Sequence, residues 1–364
     1  MSVRIFGFMD NILVVGAGPA GSACAWRLAT GGVPCVLADS ASFPRSKPCG
    51  GVLSGRGEKI LLSSGMVTGE ELDDLTLRSH GTMTISSDFH PLRTFTGGTP
   101  PVRLVERTGF DAFLRRRALE AGARPMEDRF TGFQGGEAVF MSGSRVPFRR
   151  AVGADGASSR VRRSLPGVTF ARPAPALTSL VALSPAAMGP FMEKGLQIFF
   201  FTGFTGYGWL FPRRDDLLAG IGSFDGSSSG MRTLMHKLML HAGAGVSSPV
   251  SGALLPGSGQ RVTPGSGAVL LAGDAAGLCD RVSGEGISHA LESGIAAAEA
   301  LLEGAETWNS ECIRTVRQSS RYRVFLYGSL FRRLAMRSLA GSDRWYRKYW
   351  EIVCGGSGYG NLFR

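Results

Sequence analysis

The segment Gly16-Ala17-Gly18-Pro19-Ala20-Gly21 could hold a pyrophosphate, because glycines at G-x-G-x-x-G spacing let a backbone turn tightly and meet an anion with N–H groups alone. Gly16 permits the turn, Gly18 the close approach, and Gly21 the packing of helix on strand; Pro19 and Ala20 complete the segment at a helix N-terminus that faces the anion. A carboxylate, Asp39, follows at the distance expected for gripping a ribose hydroxyl. Later come Asp155-Gly156, then Gly273-Asp274-Ala275-Ala276-Gly277, then Gly284-Glu285-Gly286-Ile287. At a strand end, Asp274 can accept hydrogen bonds from a sugar-alcohol chain such as ribityl. A helix N-terminus behind it would put partial positive charge at the N1 and O2 edge of a flavin and favour the anionic reduced form. One G-x-G-x-x-G is a weak sign, and a Gly-Asp turn alone is ordinary strand capping. The segments together describe a chain that wraps FAD.

These residues need a strand, turn and helix frame. Ile12-Leu13-Val14-Val15 is an apolar strand, and Ser22-Ala23-Cys24-Ala25-Trp26-Arg27-Leu28-Ala29 has the small residues that let a helix sit close to a sheet. Val36-Leu37-Ala38 ends in Asp39, while Ala268-Val269-Leu270-Leu271-Ala272 precedes Gly273-Asp274 and an Ala-rich helix to about Glu303. Phe110, Phe113, Leu114, Ala118 and Leu119 fall at helical spacing within residues 108–122, with basic residues on the outer face. Between residues 166 and 262 short β-like runs appear, such as Leu196-Gln197-Ile198-Phe199-Phe200-Phe201 and Leu217-Leu218-Ala219-Gly220-Ile221-Gly222. The expected fold class is α/β: a Rossmann-like FAD-binding domain with an inserted, mainly antiparallel β catalytic domain and a C-terminal helical segment. Residues 9–78, 102–165 and 263–304 would form the FAD-binding domain, 79–101 and 166–262 the catalytic and substrate domain, and 305–364 the helical region.

Composition sets wider limits. The 364 residues give ample core, and 40 Lys plus Arg against 29 Asp plus Glu leave a net charge of +11, which suits an anionic ligand, an anionic surface or simple solubility. Six cysteines (Cys24, Cys35, Cys49, Cys279, Cys312, Cys354) show no C-x-x-C spacing and read as reduced intracellular thiols. No apolar stretch reaches the roughly 18 residues of a membrane span, and the first ten residues lack a signal core, so a cytoplasmic location is expected. The five histidines have no metal-ligand spacing and no metal site is expected; Gly226-Ser227-Ser228-Ser229-Gly230 fits G-x-S-x-G only formally, in a Ser/Gly-rich loop.

The set of motifs resembles group A flavoproteins of the para-hydroxybenzoate hydroxylase fold, and within them the geranylgeranyl reductase family. The wider likeness rests on Gly16 to Gly21, on Val152-Gly153-Ala154-Asp155-Gly156-Ala157-Ser158-Ser159-Arg160-Val161-Arg162, and on Gly273-Asp274. The narrower one rests on Phe43-Pro44-Arg45-Ser46-Lys47-Pro48-Cys49-Gly50-Gly51, Tyr207-Gly208-Trp209-Leu210-Phe211-Pro212 and Gly284-Glu285-Gly286-Ile287. The resemblance implies Arg45 and Arg107 along the FAD ribose and phosphate, Asp155 and Asp274 at the cofactor, Gly50-Gly51 against the flavin ring, and Gly284, Gly286 and Ile287 at its far edge. Arg107 has a second reading as a solvated charge at a helix start. Two side chains at Gly50 and Gly51 would collide with the ring.

The same resemblance puts Cys49 in the active site, on a loop constrained by Pro48 and two glycines where a thiol touches both flavin and substrate; a small buried hydrophobe is the alternative. Tyr207, Trp209 and Phe211 alternate along a strand and share one face, either as a core stripe or as an aromatic wall for a long unsaturated hydrocarbon. Cys49, Tyr207 and Trp209 are expected at the reacting centre. The implied chemistry is saturation of a prenyl double bond by hydride from reduced flavin, with a proton from Cys49 or an ordered water. NADPH and ferredoxin both remain open as electron donors. The competing class is a group A monooxygenase or halogenase-like enzyme on an aromatic or hydrophobic substrate, although the characteristic halogenase lysine segment is absent. From Ile313 to Trp350 ten Lys or Arg and one acid alternate with aromatic residues. Such a segment lies on an anionic bilayer or packs its apolar face on the catalytic domain; no nucleic-acid motif accompanies the charge.

Overall fold

The computed structural model describes residues 12–223, 225–243, 248–256, 261–280, 283–317, 347, 350 and 351. Two large sheets interleave along the chain. The first has six strands in the order Gly265–Ser266, Val269–Leu271, Arg150–Gly153, Ile12–Val15, Cys35–Asp39, Arg124–Glu127. All its pairings are parallel except that of the Gly265–Ser266 edge. A parallel sheet is covered on both faces, which is why Ile12–Val15 is an unbroken apolar run with every residue buried.

Helix Pro19–Thr30 starts on a proline whose missing N–H is no loss in a first turn. Helix Ile287–Leu302 crosses it so closely that a Cβ at Gly294 would strike the Ala20 carbonyl. Small residues at that crossing, read from the sequence as a close-packing signal, let both helix starts converge on the carboxyl ends of the parallel strands.

The second sheet has seven strands, ordered Ser251–Leu255, Ala174–Ala182, Asp216–Ser223, Gly206–Pro212, Leu196–Phe200, Met83–Ser87, His90–Phe95. It is antiparallel except where Met83–Ser87 meets Leu196–Phe200. Period-two alternation divides its faces. Phe199, Leu210, Ala219 and Ile221 pack beneath helices Pro185–Lys194 and Met231–His241, while Ile198, Tyr207, Trp209, Phe211 and Leu218 form the opposite face. Two three-stranded sheets complete the fold: Arg145–Pro147, Glu137–Phe140, Phe130–Gln134, and Val52–Leu53, Val102–Val105, Thr76–His80.

The helix expected over 108–122 runs Arg107–Glu120, started by Glu106, whose carboxylate accepts from the Thr108 and Gly109 N–H groups at 3.0 and 2.8 Å. Most of the basic, aromatic segment between Ile313 and Trp350 lies outside the described residues. Of its described part, Ile313 and Val316 are buried, and Trp350 is 2% exposed, seated on Gly98 with its Nε1 donating to the Pro100 carbonyl at 3.2 Å. No described helix is long and apolar enough to cross a membrane.

Candidate active site

A cavity of about 570 Å³ lies between the carboxyl ends of the parallel strands and the apolar face of the seven-stranded sheet. Every site residue expected from the sequence lines it except Gly21. Gly21 sits behind the turn, where a Cβ would strike the Gly16 carbonyl, so its role is packing. Gly16 itself has φ +102°, and a side chain there would run into the Ala154 carbonyl. Its N–H donates to the Ala38 carbonyl at 2.6 Å.

The three acids read as cofactor contacts are used differently. Asp39 braces the glycine turn, accepting from the Ala17 N–H at 2.7 Å and the Ala41 N–H at 3.0 Å. Asp155 is occupied by its own loop: it accepts from the Ser159 hydroxyl at 2.5 Å and from the Arg160 and Val161 N–H groups at 2.7 and 3.1 Å. Burial pushes its carboxyl above the usual range against those hydrogen bonds. What Asp155 offers a ligand is a shaped turn. Asp274 is the opposite case, lining the cavity with no hydrogen-bond partner for its carboxylate among the described residues. Burial raises its carboxyl, opposed by the positive charges of Lys47 and Arg107 and by His289. An acceptor of this kind, beside a glycine turn and two helix starts, suits a polyol chain. The residues present therefore fit FAD.

Arg107 has a side chain only 10% exposed and is not a solvated helix-start charge. It pairs with the fully buried Asp111 in a fork, Nε to Oδ1 at 2.7 Å and Nη2 to Oδ2 at 2.8 Å. Burial works against its charge, but Asp111 and the Cys49 sulfur hold it above the usual arginine range. Arg45 reaches the same Asp111 at 3.5 Å and lies over the Phe43 ring. Gly18 faces it: a Cβ there would be 3.4 Å from the Arg45 guanidinium.

Cys49 is half-buried in the wall, its sulfur accepting from the Gly51 N–H at 3.4 Å. The two glycines after it have different protein neighbours. Gly51 has φ +68°, and its Cβ would strike the Val105 carbonyl of the neighbouring strand, whose N–H donates to the Gly51 carbonyl at 2.8 Å. Gly50 points at the aromatic wall, with Phe211 3.1 Å and the Trp209 Nε1 3.7 Å from a Cβ there. Gly51 is demanded by strand packing and Gly50 by the aromatic wall.

That wall is continuous. Tyr207 meets Trp209 edge-on at 5.8 Å, Trp209 stacks on Phe211 at 6.2 Å, and Leu196, Ile198 and Phe200 extend it. The Trp209 Nε1 is buried without a hydrogen-bond partner among the described residues. The Tyr207 hydroxyl donates to the Ser283 carbonyl at 2.9 Å, and a Cβ at Gly284 would strike that hydroxyl.

Sequence reading missed Lys47, Ser54, Cys279 and Glu285, all of which line the cavity. Lys47 and Glu285 sit inside quoted motifs where glycine or cysteine drew attention. The signal for Ser54 is helix capping, since it accepts from the Gly57 N–H at 3.5 Å, and nothing local marks it as a cavity residue. Among the described residues no three His, Cys, Asp or Glu converge as a metal site.

Residues 10–182 match the FAD binding domain family. Over 350 residues the chain is 31% identical to the menaquinone reductase of Mycolicibacterium smegmatis, covering 90% of this chain and 84% of that one. It is 28% identical over 314 residues to the geranylgeranyl diphosphate reductase of Rhodobacter capsulatus, covering 80% and 75%. The crystal structure of a geranylgeranyl bacteriochlorophyll reductase-like protein from Thermoplasma acidophilum superposes with a TM-score of 0.68 at 21% identity, covering 95% of this chain and 92% of that one, a likeness of fold.

Proposed function

The chain belongs to the geranylgeranyl reductase family of FAD-dependent oxidoreductases, and from that premise we propose that it saturates carbon–carbon double bonds of a geranylgeranyl or polyprenyl chain. The observation that carries this reading is the junction at Gly50, where the aromatic face of Tyr207, Trp209 and Phe211 comes up against the loop that leads to the FAD cradle. A flat aromatic and aliphatic wall binds an unsaturated hydrocarbon through apolar contact and asks for no polar partner.

Bound FAD, once reduced, supplies a hydride. The chain's part is to place and protect the alkene. Trp209 and Phe211 hold one face of the double bond, and Cys49 stands where both cofactor and substrate come within reach. Leu196, Ile198 and Phe200 exclude water from the rest of the chain. Asp274, Arg45 and Arg107 orient the cofactor from the other side. An isolated alkene accepts hydride poorly, so a proton must arrive at the second carbon in close step. The substrate is an isoprenoid or prenylated lipid, and the basic C-terminal segment would suit contact with an anionic bilayer where such lipids reside.

The test is anaerobic. Chemically reduced holoprotein mixed with a geranylgeranyl lipid is expected to reoxidise its flavin without oxygen and yield a saturated chain. A flavin that stays reduced until oxygen is admitted, and then hydroxylates an aromatic substrate, would replace this reading with a monooxygenase.

A further inference from the structure

Ser54, the N-cap of helix Gly55–Ser64, and Glu285, in the loop before helix Ile287–Leu302, both line the cavity although 231 residues separate them. The Ser54 hydroxyl is 2.5 Å from Glu285 Oε1 and 2.9 Å from the Ser288 hydroxyl. The Glu285 side chain is 9% exposed, and the one basic side chain within 4 Å of its carboxylate among the described residues is His289, whose Nε2 lies 3.9 Å from Oε2.

His289 is fully buried. Its Nδ1 is 2.8 Å from the Leu278 carbonyl, which can only accept, so Nδ1 carries a hydrogen and Nε2 is the nitrogen left to gain or lose one. That Nε2 has no hydrogen-bond partner among the described residues. Among the described residues no guanidinium or ammonium lies within 4 Å of the Glu285 carboxylate. One proton can be shared between Glu285 and His289: on the carboxyl it leaves two neutral groups, and on the imidazole it makes an ion pair.

The two serines allow either state without moving a heavy atom. With Glu285 ionised, Ser288 donates to Ser54 and Ser54 to the carboxylate. With Glu285 protonated, each of those hydrogen bonds reverses, because every hydroxyl both gives and accepts. Cys49 has no such reservoir: its sulfur accepts from Gly51 and abuts Arg107.

We propose that Glu285 is the proton donor of this cavity, recharged by His289 and held in place by Ser54 and Ser288. This rests on the prenyl-reductase reading. The π bond of the alkene breaks; one carbon takes a hydride, with its electron pair, from reduced flavin, and the other takes the proton of the Glu285 O–H bond, leaving a carboxylate. Ser54 then donates to that carboxylate, and a proton from solvent returns to it by way of His289. Asp274, which also faces His289, keeps positive charge on the imidazole favourable during that return.

Glu285→Gln keeps the shape and the Ser54 contact but has no dissociable proton. Anaerobic single turnover of pre-reduced holoprotein with a geranylgeranyl lipid is expected to slow by roughly 10²- to 10⁴-fold, with FAD affinity unchanged. A rate near wild type overturns the assignment. Infrared titration of the apoprotein reads the cluster independently: the carboxyl band removed by Glu285→Gln should change in one coupled transition with the His289 imidazole bands. A carboxyl that titrates alone overturns the sharing. Ser54→Ala leaves Glu285 in place and covers the case in which Glu285→Gln does not fold; it should slow the same step about tenfold, less than the roughly 10²- to 10⁴-fold of removing the proton itself, and unaltered turnover overturns the relay. If wild type itself leaves the lipid unreduced, the prenyl-reductase reading fails, whereas the apoprotein titration still decides the cluster.

Discussion

The Tyr207 hydroxyl donates to the Ser283 carbonyl across 2.9 Å, joining the aromatic strand to the loop of Gly284 and Glu285 although the two residues are 76 positions apart. The ring belongs to the apolar wall and the hydroxyl reaches the loop before helix Ile287–Leu302. Tyr207→Phe keeps the first and removes the second, a net loss of about 1 kcal/mol for one hydrogen bond. The expected result is a KM for prenyl lipid raised several-fold with the FAD complement intact, measured by steady-state reduction. A KM identical to wild type would mean that the hydroxyl does not position the loop.

Asp274 carries a sign that can be worked out. Burial raises its carboxyl in the folded protein, so the native state holds that proton more tightly than the unfolded chain does. The acid therefore contributes stability at pH below the unfolded carboxylate range and loses it as pH rises through the folded value. At neutral pH Asp274→Asn should raise the Tm of the apoprotein by a few degrees, with the difference vanishing in acid. The same substitution should weaken FAD retention, read by flavin fluorescence on dilution, because the amide is a poorer acceptor for hydroxyls. A variant that melts lower at neutral pH, or that retains flavin as wild type does, would count against an unpartnered carboxylate kept for the cofactor.

Much of this site is legible in the sequence because FAD recognition uses backbone. Gly16 and Gly273 occupy positive φ, and Gly21 fills a space where a Cβ cannot go, so their chemistry is written in residue type and spacing. The aromatic wall is legible for a similar reason, since period two alone puts Tyr207, Trp209 and Phe211 on one face. Arg107 and Gly51 are not. Whether an arginine is solvated or locked to Asp111, and whether a glycine faces a ligand or the Val105 carbonyl, depends on which strand lies alongside. Ser54 and Glu285 are least legible, because their meeting is set by the packing of two helices 231 residues apart. Fold class follows from the alternation of strand and helix signals, whereas the parallel pairing of Met83–Ser87 with Leu196–Phe200 has no local sign.

Cys49 tests where the substrate sits. Its sulfur lies in the cavity wall between Gly51 and the guanidinium of Arg107, and the glycine turn of Gly16 to Gly21 is on other elements. Cys49→Ala is expected to leave FAD bound and to slow substrate reduction by about tenfold, less than Glu285→Gln, since it removes a contact and not the proton. Stopped-flow reoxidation of the reduced flavin by prenyl lipid separates the two. Loss of flavin, or unchanged turnover, would remove Cys49 from the reacting centre.

Arg162 has no part in the chemistry yet should control the cofactor. It is fully buried and donates only to oxygens of the backbone and of one threonine: Nε to the Thr169 carbonyl at 2.8 Å, Nη1 to Ala275 at 2.9 Å, Nη2 to Arg261 at 2.7 Å and to the Thr263 hydroxyl at 3.4 Å. With no acid paired to it among the described residues, burial pushes its guanidinium down to about 10. Its forked geometry pins the residue after Asp274 to the loop after Asp155, so both acid turns share one clamp. Lysine keeps the charge but cannot reach three carbonyls from one ammonium. Each buried carbonyl left without a donor costs about 1 to 3 kcal/mol, so Arg162→Lys is expected to lower stability by roughly 3 kcal/mol or more. It should also release FAD well before the protein unfolds. Denaturant unfolding and flavin fluorescence, followed in one titration, read the two events: separate transitions in the variant and a single one in wild type are the expected pair. Coincident transitions in both would mean that the clamp stabilises the fold without shaping the cofactor turn.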